Sequence, residues 1–297
     1  MARVFSELLI HARPRLQLEQ FLSQPSHALM ISGPPGSGKR NAAEHLASRL
    51  LGLDSVDKLA EHPYFISITR DEGKQDISLD AIKMITRSLR LKTTGKSTLR
   101  RVVLVENAEL MSHEAQNALL KILEEPPADS LIILTAASPR SVLPTIASRA
   151  QQIQLQSVEL KAALAFFTDL HTPARIESAW LLSGGRTGLT AALLEAEQLH
   201  PLKKAVADAK QLLGESQTKK IQVLDQLGRS KADLYDLLGG LSLVMSALHH
   251  RSLDQGRARQ AEKLLANRRL VKDSLTKLEA NTQARLVALH LALNLKA

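Results

Sequence analysis

Gly33-Pro34-Pro35-Gly36-Ser37-Gly38-Lys39 joins a short apolar run, Ala28-Leu-Met-Ile-Ser32, to a helical pattern that begins near Asn41. A glycine-rich turn between strand and helix lets backbone N–H groups point inward at phosphate oxygens, and the helix start adds partial positive charge. A lysine at the seventh position reaches the β- and γ-phosphates. These are the residues of a Walker A loop, so ATP or ADP is the expected ligand. The next position departs from the pattern. Arg40 stands where Ser or Thr normally offers a hydroxyl to Mg²⁺. A guanidinium cannot ligate a cation, and its charge repels one. Alternatively, Arg40 points away as a solvated helix residue.

A second departure concerns the acid that should face this loop. A Walker B site needs a carboxylate at a strand end for the metal, and usually a second one to polarise water. Here Val105-Glu106-Asn107-Ala108-Glu109 offers Glu106 at the first place and Asn107 at the second. Asn cannot act as a general base. Both departures weaken the same reaction. They predict a site that binds nucleotide without turning it over alone and leave Mg²⁺ doubtful. No other metal is expected. The chain has no Cys, and its ten His show no ligand spacing; His249 and His250 are neighbours that do not face one way on a helix. Glu124-Glu125 closes a helix before two prolines and reads as structural or interfacial.

The elements that must hold these residues are legible as alternating patterns. Ala28–Ser32, Tyr64–Ile68, Val102–Val105, Leu131–Thr135 and Ile153–Leu155 read as strands. Helices are predicted over Asn41–Leu51 and over Ser78–Leu91, with Ser78 as N-cap. Another begins at Ser112 and stops before Pro126-Pro127. Strands alternating with helices imply a parallel five-stranded sheet covered on both faces. After residue 156 no strand is evident. Short helices are predicted over Glu159–Leu170, Ala174–Leu182 and Leu189–Leu199, then longer amphipathic ones. One stripe is Leu234, Leu237, Leu238, Leu241, Val244, Met245 and Leu248; another is Leu286, Leu289, Leu293 and Leu295. The expected boundaries are 1–156, 157–199 and 200–297.

Length, charge and composition narrow the function. The 297 residues suit two or three domains. The formal net charge is +9, and residues 200–297 carry 17 Lys and Arg against 9 Asp and Glu. That excess either faces an acidic partner or nucleic-acid backbone, or is the solvated face of long helices. Aromatics at 3% argue against base stacking as a main mechanism. No apolar run is long enough for a membrane span, and the N-terminus lacks a secretory h-region. The expected location is the cytoplasm.

Asn117-Ala-Leu-Leu-Lys-Ile-Leu-Glu-Glu-Pro-Pro127, followed by Leu143-Pro-Thr-Ile-Ala-Ser-Arg149, resembles the AAA+ clamp-loader family. Ser26-His-Ala-Leu29 and the His62-Pro63 step are also similar, and the resemblance covers residues 8–190. It implies an α/β AAA+ P-loop core, a small helical lid and an all-α C-terminal collar. Family members usually carry a four-cysteine zinc module; residues 52–62 replace it without Cys, so no zinc is expected. The family's Ser-Arg-Cys triplet reads Ser148-Arg149-Ala150. The resemblance implies that Arg149 is an arginine finger acting on the ATP site of an adjacent subunit. Its alternative is an ion pair near the sheet edge. Arg186, after Gly184-Gly185, matches the sensor-2 region; it either touches nucleotide or is a surface arginine at a helix start. The two Walker departures fit a non-motor member better than a hydrolysing gamma/tau-type one. The implied partners are gamma/tau and delta subunits, with the sliding clamp and primer-template DNA reached through the assembled complex. Two other functions compete: an autonomous P-loop ATPase or kinase, and an electrostatic DNA-binding protein.

Overall fold

A computed structural model describes residues 5–71, 73–89, 99–195 and 201–295. By compactness the chain divides into two units: Met1–Ala162 with Arg186–Leu189, and Ala163–Gly185 with Thr190–Ala297. Residues 157–199 are thus divided between them.

The first unit runs α1 (Ala12–Ser23), β1 (Ala28–Ser32), α2 (Lys39–Leu50), β2 (Phe65–Ile68), α3 (Leu79–Leu89), β3 (Arg101–Val105), α4 (His113–Glu124), β4 (Ser130–Ala136), α5 (Pro144–Ala147) and β5 (Gln151–Gln154). The strands form one parallel sheet in the order β2-β3-β4-β1-β5. All residues of β1, β3 and β4 are buried, because helices cover both faces. Alternate side chains go to opposite sides. Met30, Val103, Val105, Ile132 and Leu134 pack with Ile82, Ile85, Leu119 and Leu123 of α3 and α4. Leu29, Ile31, Val102, Leu104 and Ile133 pack with Leu18, Phe21 and Leu46 of α1 and α2. The outer strands β2 and β5 are only partly buried.

The caps follow the sequence. Ser112 accepts from the Ala115 N–H at 3.2 Å, and Ser78 from the Ala81 N–H at 3.4 Å. The end of the helix predicted to Leu91 lies outside the described residues. Helix α1 was not expected. Its Pro14 sits in the first turn, where its missing N–H is not needed. Met30 and Val105 are both level with Leu134, so the Gly33–Lys39 turn and Glu106 leave the sheet at the same edge. In open α/β sheets, ligands bind at this carboxyl edge.

The helices that follow are α6 (Leu160–Phe167), α7 (Pro173–Ser183), α8 (Thr187–Glu195), α9 (Pro201–Gly214), α10 (Gln217–Leu227), α11 (Lys231–Asp254), α12 (Ala258–Glu279) and α13 (Ala284–Asn294). The end of the helix predicted to Leu199 lies outside the described residues. From Leu234 to Met245 the predicted stripe on α11 is buried, but Leu248 is exposed. Gly240 lets α11 cross α9 closely, since a Cβ there would collide with the Ala205 carbonyl. The predicted stripe on the last helix needs correction. Leu295 of the stripe is buried and Leu289 half-buried, but Leu286 and Leu293 are exposed, while Val287, Ala288, Leu291 and Ala292 are buried. The smaller residues face inward because α10 packs closely there: a Cβ on Gly228 would lie 2.8 Å from the Ala288 Cβ. No described helix is long and apolar enough to cross a membrane.

Candidate functional site

The loop predicted to cradle phosphate has a backbone that only its glycines tolerate easily. Gly36 and Gly38 have φ of 79° and 84°, where a Cβ is strained. At Gly33 a Cβ would lie 2.8 Å from Ser37 Oγ and 3.1 Å from the Leu155 carbonyl. Lys39 begins α2, is only 8% exposed, and donates from Nζ to the Gly33 carbonyl at 2.9 Å and to that of Pro34 at 3.3 Å. Burial lowers its pKa, opposed by the Glu109 carboxylate.

The loop's other carbonyls are engaged by Arg186–Leu189. Arg186 NH1 donates to Pro35 O at 3.2 Å, Thr187 Oγ1 to Ser37 O at 3.0 Å, and Leu189 N to Gly36 O at 2.8 Å. Gly188 makes this approach possible: a Cβ would lie 3.0 Å from Gly38 N and 3.1 Å from Gly36 O. Burial lowers the Arg186 pKa. With its carbonyls occupied, the loop keeps donors in reserve. Among the described residues no hydrogen bond takes the N–H of Gly38 or Lys39, as expected at a helix start. The buried Ser37 Oγ also has no hydrogen-bond partner.

Arg40 does not simply point away. Its Nε lies 2.8 Å from Glu44 Oε1, and its NH1 lies 3.4 Å from Glu106 Oε1. Glu106 is 8% exposed and accepts from Ser67 Oγ at 3.3 Å. Burial raises its pKa; the Arg40 guanidinium opposes that shift, and Glu44 adds to it. The residue that breaks the Walker A pattern is thus ion-paired with the acid at the first Walker B position. Asn107 has φ of 50°, and its N–H donates to Thr135 Oγ1 at 2.9 Å. Glu109 has a part that the motif does not assign. Its Oε1 accepts from the Ala137 N–H at 3.1 Å, and its buried Oε2 has no hydrogen-bond partner. It is the carboxylate that acts on Lys39. The only signal for it in sequence is an acid three residues after Glu106.

Arg149 lies elsewhere in this unit, between α5 and β5. Its NH2 is 2.7 Å from Glu124 Oε1 and its NH1 donates to Thr145 O at 3.1 Å. The two side chains are 36% and 49% exposed. The Glu-Glu-Pro-Pro end of α4 and the Ser-Arg motif therefore meet in space.

Residues 12–159 match the protein family described as "DNA polymerase III, delta subunit". Over this stretch the chain is of the clamp-loader-type DNA polymerase III subunit family. It is similar to DNA polymerase III subunit delta' of Pseudomonas aeruginosa, 34% identical over 60% of this chain and 57% of that protein. It is also similar to subunit tau of Bacillus subtilis, 30% identical over 51% of this chain and 28% of that protein. The chain spans little more than half of the delta' relative and under a third of the tau relative. A DNA polymerase III gamma subunit-related protein from Thermotoga maritima shares the fold: TM-score 0.58, 20% identity, covering 94% of this chain and 98% of that one.

In this clamp-loader-type subunit the loop suits a polyphosphate. It has unused amides, an unpartnered buried hydroxyl and a buried lysine. The position of a divalent cation is different. Arg40 replaces one anchor and lies 3.4 Å from the other. Among the described residues no group of three or more His, Cys, Asp or Glu is placed to hold a metal.

Proposed function

We propose that this chain is a delta'-type, non-motor subunit of a DNA polymerase III clamp loader, helping to load the sliding clamp onto primed DNA. In this reading residues 1–156 are the nucleotide-binding core, 157–199 a helical lid and 200–297 a collar that joins other subunits. The partners are gamma/tau and delta subunits in the cytoplasm. The P-loop takes ATP or ADP, with Lys39, Ser37 and the loop amides as ligands and Arg186 beside the loop. Arg149 serves in trans, as an arginine finger at the ATP site of a neighbouring gamma/tau subunit.

The observation that carries this reading is the contrast between two arginines. Arg40 lies at the place of the metal and is tied to Glu106 at 3.4 Å, which leaves the chain's own site without the machinery for hydrolysis. Arg149 is held on the surface by one exposed ion pair. Magnitudes favour its transfer to a neighbour. An exposed pair is worth about 0–1 kcal/mol, whereas an arginine finger accelerates hydrolysis by roughly 10³–10⁵, or about 4–7 kcal/mol of transition-state stabilisation. Glu124 then holds the guanidinium ready until a γ-phosphate replaces it. An autonomous ATPase would need a cation where Arg40 lies.

The test is reconstitution. The chain should co-purify with gamma/tau and delta subunits. Alone it should hydrolyse ATP near background, and Arg149→Ala should assemble normally yet slow hydrolysis by the complex. Brisk turnover by the lone chain, abolished by Lys39→Ala, would overturn the reading.

A further inference from the structure

The Arg40–Glu106 contact has a consequence for the form in which nucleotide is bound. A metal-loaded phosphate site needs oxygen ligands for Mg²⁺, which demands octahedral coordination and usually takes one or two carboxylates beside the phosphates. Glu106 is the carboxylate at that position, and its Oε1 already has two neighbours: Arg40 NH1 at 3.4 Å and Ser67 Oγ at 3.3 Å. Arg40 is held from its other side by Glu44 at 2.8 Å. Withdrawing this guanidinium, whose side chain is 63% exposed, would leave the buried Glu106 Oε1 with Ser67 Oγ as its contact. A divalent ion beside it would meet a like charge at short range. Of the Glu109 oxygens, one accepts the Ala137 N–H and the other is buried without a hydrogen-bond partner, and the carboxylate's charge acts on Lys39.

The polyphosphate side of the site is intact. It has free N–H groups of Gly38 and Lys39, the unpartnered Ser37 hydroxyl, and the Lys39 ammonium. A guanidinium is itself a good phosphate donor, planar and able to give two parallel hydrogen bonds.

We infer that the P-loop binds a nucleoside di- or triphosphate as the metal-free anion, with the Arg40 guanidinium, braced by Glu44 and Glu106, in the place of the divalent cation. This rests on the reading of the P-loop as a nucleotide site. Metal-free nucleotide carries more negative charge than its Mg²⁺ complex. Lys39, Arg40 and the α2 N-terminus meet that charge together. Mg²⁺ in solution therefore competes for the ligand instead of completing the site.

The test is calorimetric titration of the full chain with ADP and with ATP, once in EDTA and once in excess MgCl2. Binding should be as tight in EDTA as in Mg²⁺, or tighter. Arg40→Ser restores the missing hydroxyl and frees Glu106, so in that variant Mg²⁺ should tighten binding about tenfold. Arg40→Lys keeps the positive charge and should stay indifferent to metal. Thermal melting followed by circular dichroism checks that each variant is folded. If Mg²⁺ tightens wild-type binding more than about twofold, the inference fails and the nucleotide site stands. An Arg40→Ser variant that is folded and binds nucleotide, yet gains nothing from Mg²⁺, also sinks it. Absence of binding in either medium removes the inference and the nucleotide site together, while co-purification still decides the clamp-loader reading.

Discussion

Arg40 and Arg149 lie in the same α/β unit in opposite circumstances. Arg40 reaches a carboxylate that the sheet buries, and two acids hold it. Arg149 pairs with a half-exposed Glu124 at the rim of α4. Arg40 itself is 63% exposed, so the asymmetry lies in the acids: losing Arg40 leaves the buried Glu106 without its cation, which is costly, whereas losing Arg149 leaves Glu124 to solvent, which is cheap. The fold therefore commits the first arginine to its own chain and leaves the second available. A nucleotide-binding framework can in this way lose its own chemistry and still present a charge to a neighbour.

The sharpest way to break this contrast is Arg149→Ala in a reconstituted complex. Hydrolysis at the neighbouring site should fall by about 10³-fold or more, with the variant's own unfolding free energy within about 1 kcal/mol of wild type. Unchanged hydrolysis would show that the exposed arginine has no outside role. Next in size, Lys39→Ala should weaken ADP binding by about 10- to 100-fold, the worth of a charge-assisted contact, measured by titration of the lone chain. Gly188→Ala probes the segment seated on the loop. Its Cβ would press on backbone atoms of Gly36 and Gly38 at 3.0–3.1 Å. Overpacking costs about 1–3 kcal/mol and helix propensity returns at most about 1, so urea unfolding should show a net loss of about 1 kcal/mol.

A fourth test concerns pH. Burial holds the Glu106 pKa above its ordinary value, so the folded chain keeps this proton more tightly than the unfolded one. That preference is fully present below the unfolded value of about 4.3 and is lost as pH rises through the folded value. Wild type minus Glu106→Gln, compared by denaturant unfolding, should therefore decline from pH 4 towards neutrality. A rising difference would mean that Arg40 outweighs burial. The smallest effect belongs to Glu124→Gln, which should change stability by no more than about 0.5 kcal/mol and leave hydrolysis by the complex intact.

Much of this was legible from the chain because it depends on local spacing. Apolar runs mark β1, β3 and β4; Ser112 marks a helix start, and Pro126-Pro127 bounds the same helix. The glycines that permit positive φ at positions 36 and 38 are visible as glycines. Helix α1 escaped because its apolar signal is sparse: only Pro14, Leu18 and Phe21 are buried along its twelve residues. The exposed leucines of α13 misled for a related reason. Leu286 and Leu293 form a regular stripe, yet the buried face is the one whose small residues let α10 approach.

The charges divide the same way. That Arg40, Glu106, Glu109 and Arg149 are present, and that Arg40 and Asn107 disturb a phosphate site, follows from residue type and motif spacing. That Arg40 closes on Glu106, that Glu109 serves Lys39, and that Arg149 rests on Glu124 was decided by the tertiary structure. These partners lie tens of residues apart along the chain, and only the strand order and the burial it creates bring them within a few ångströms and set what each contact is worth.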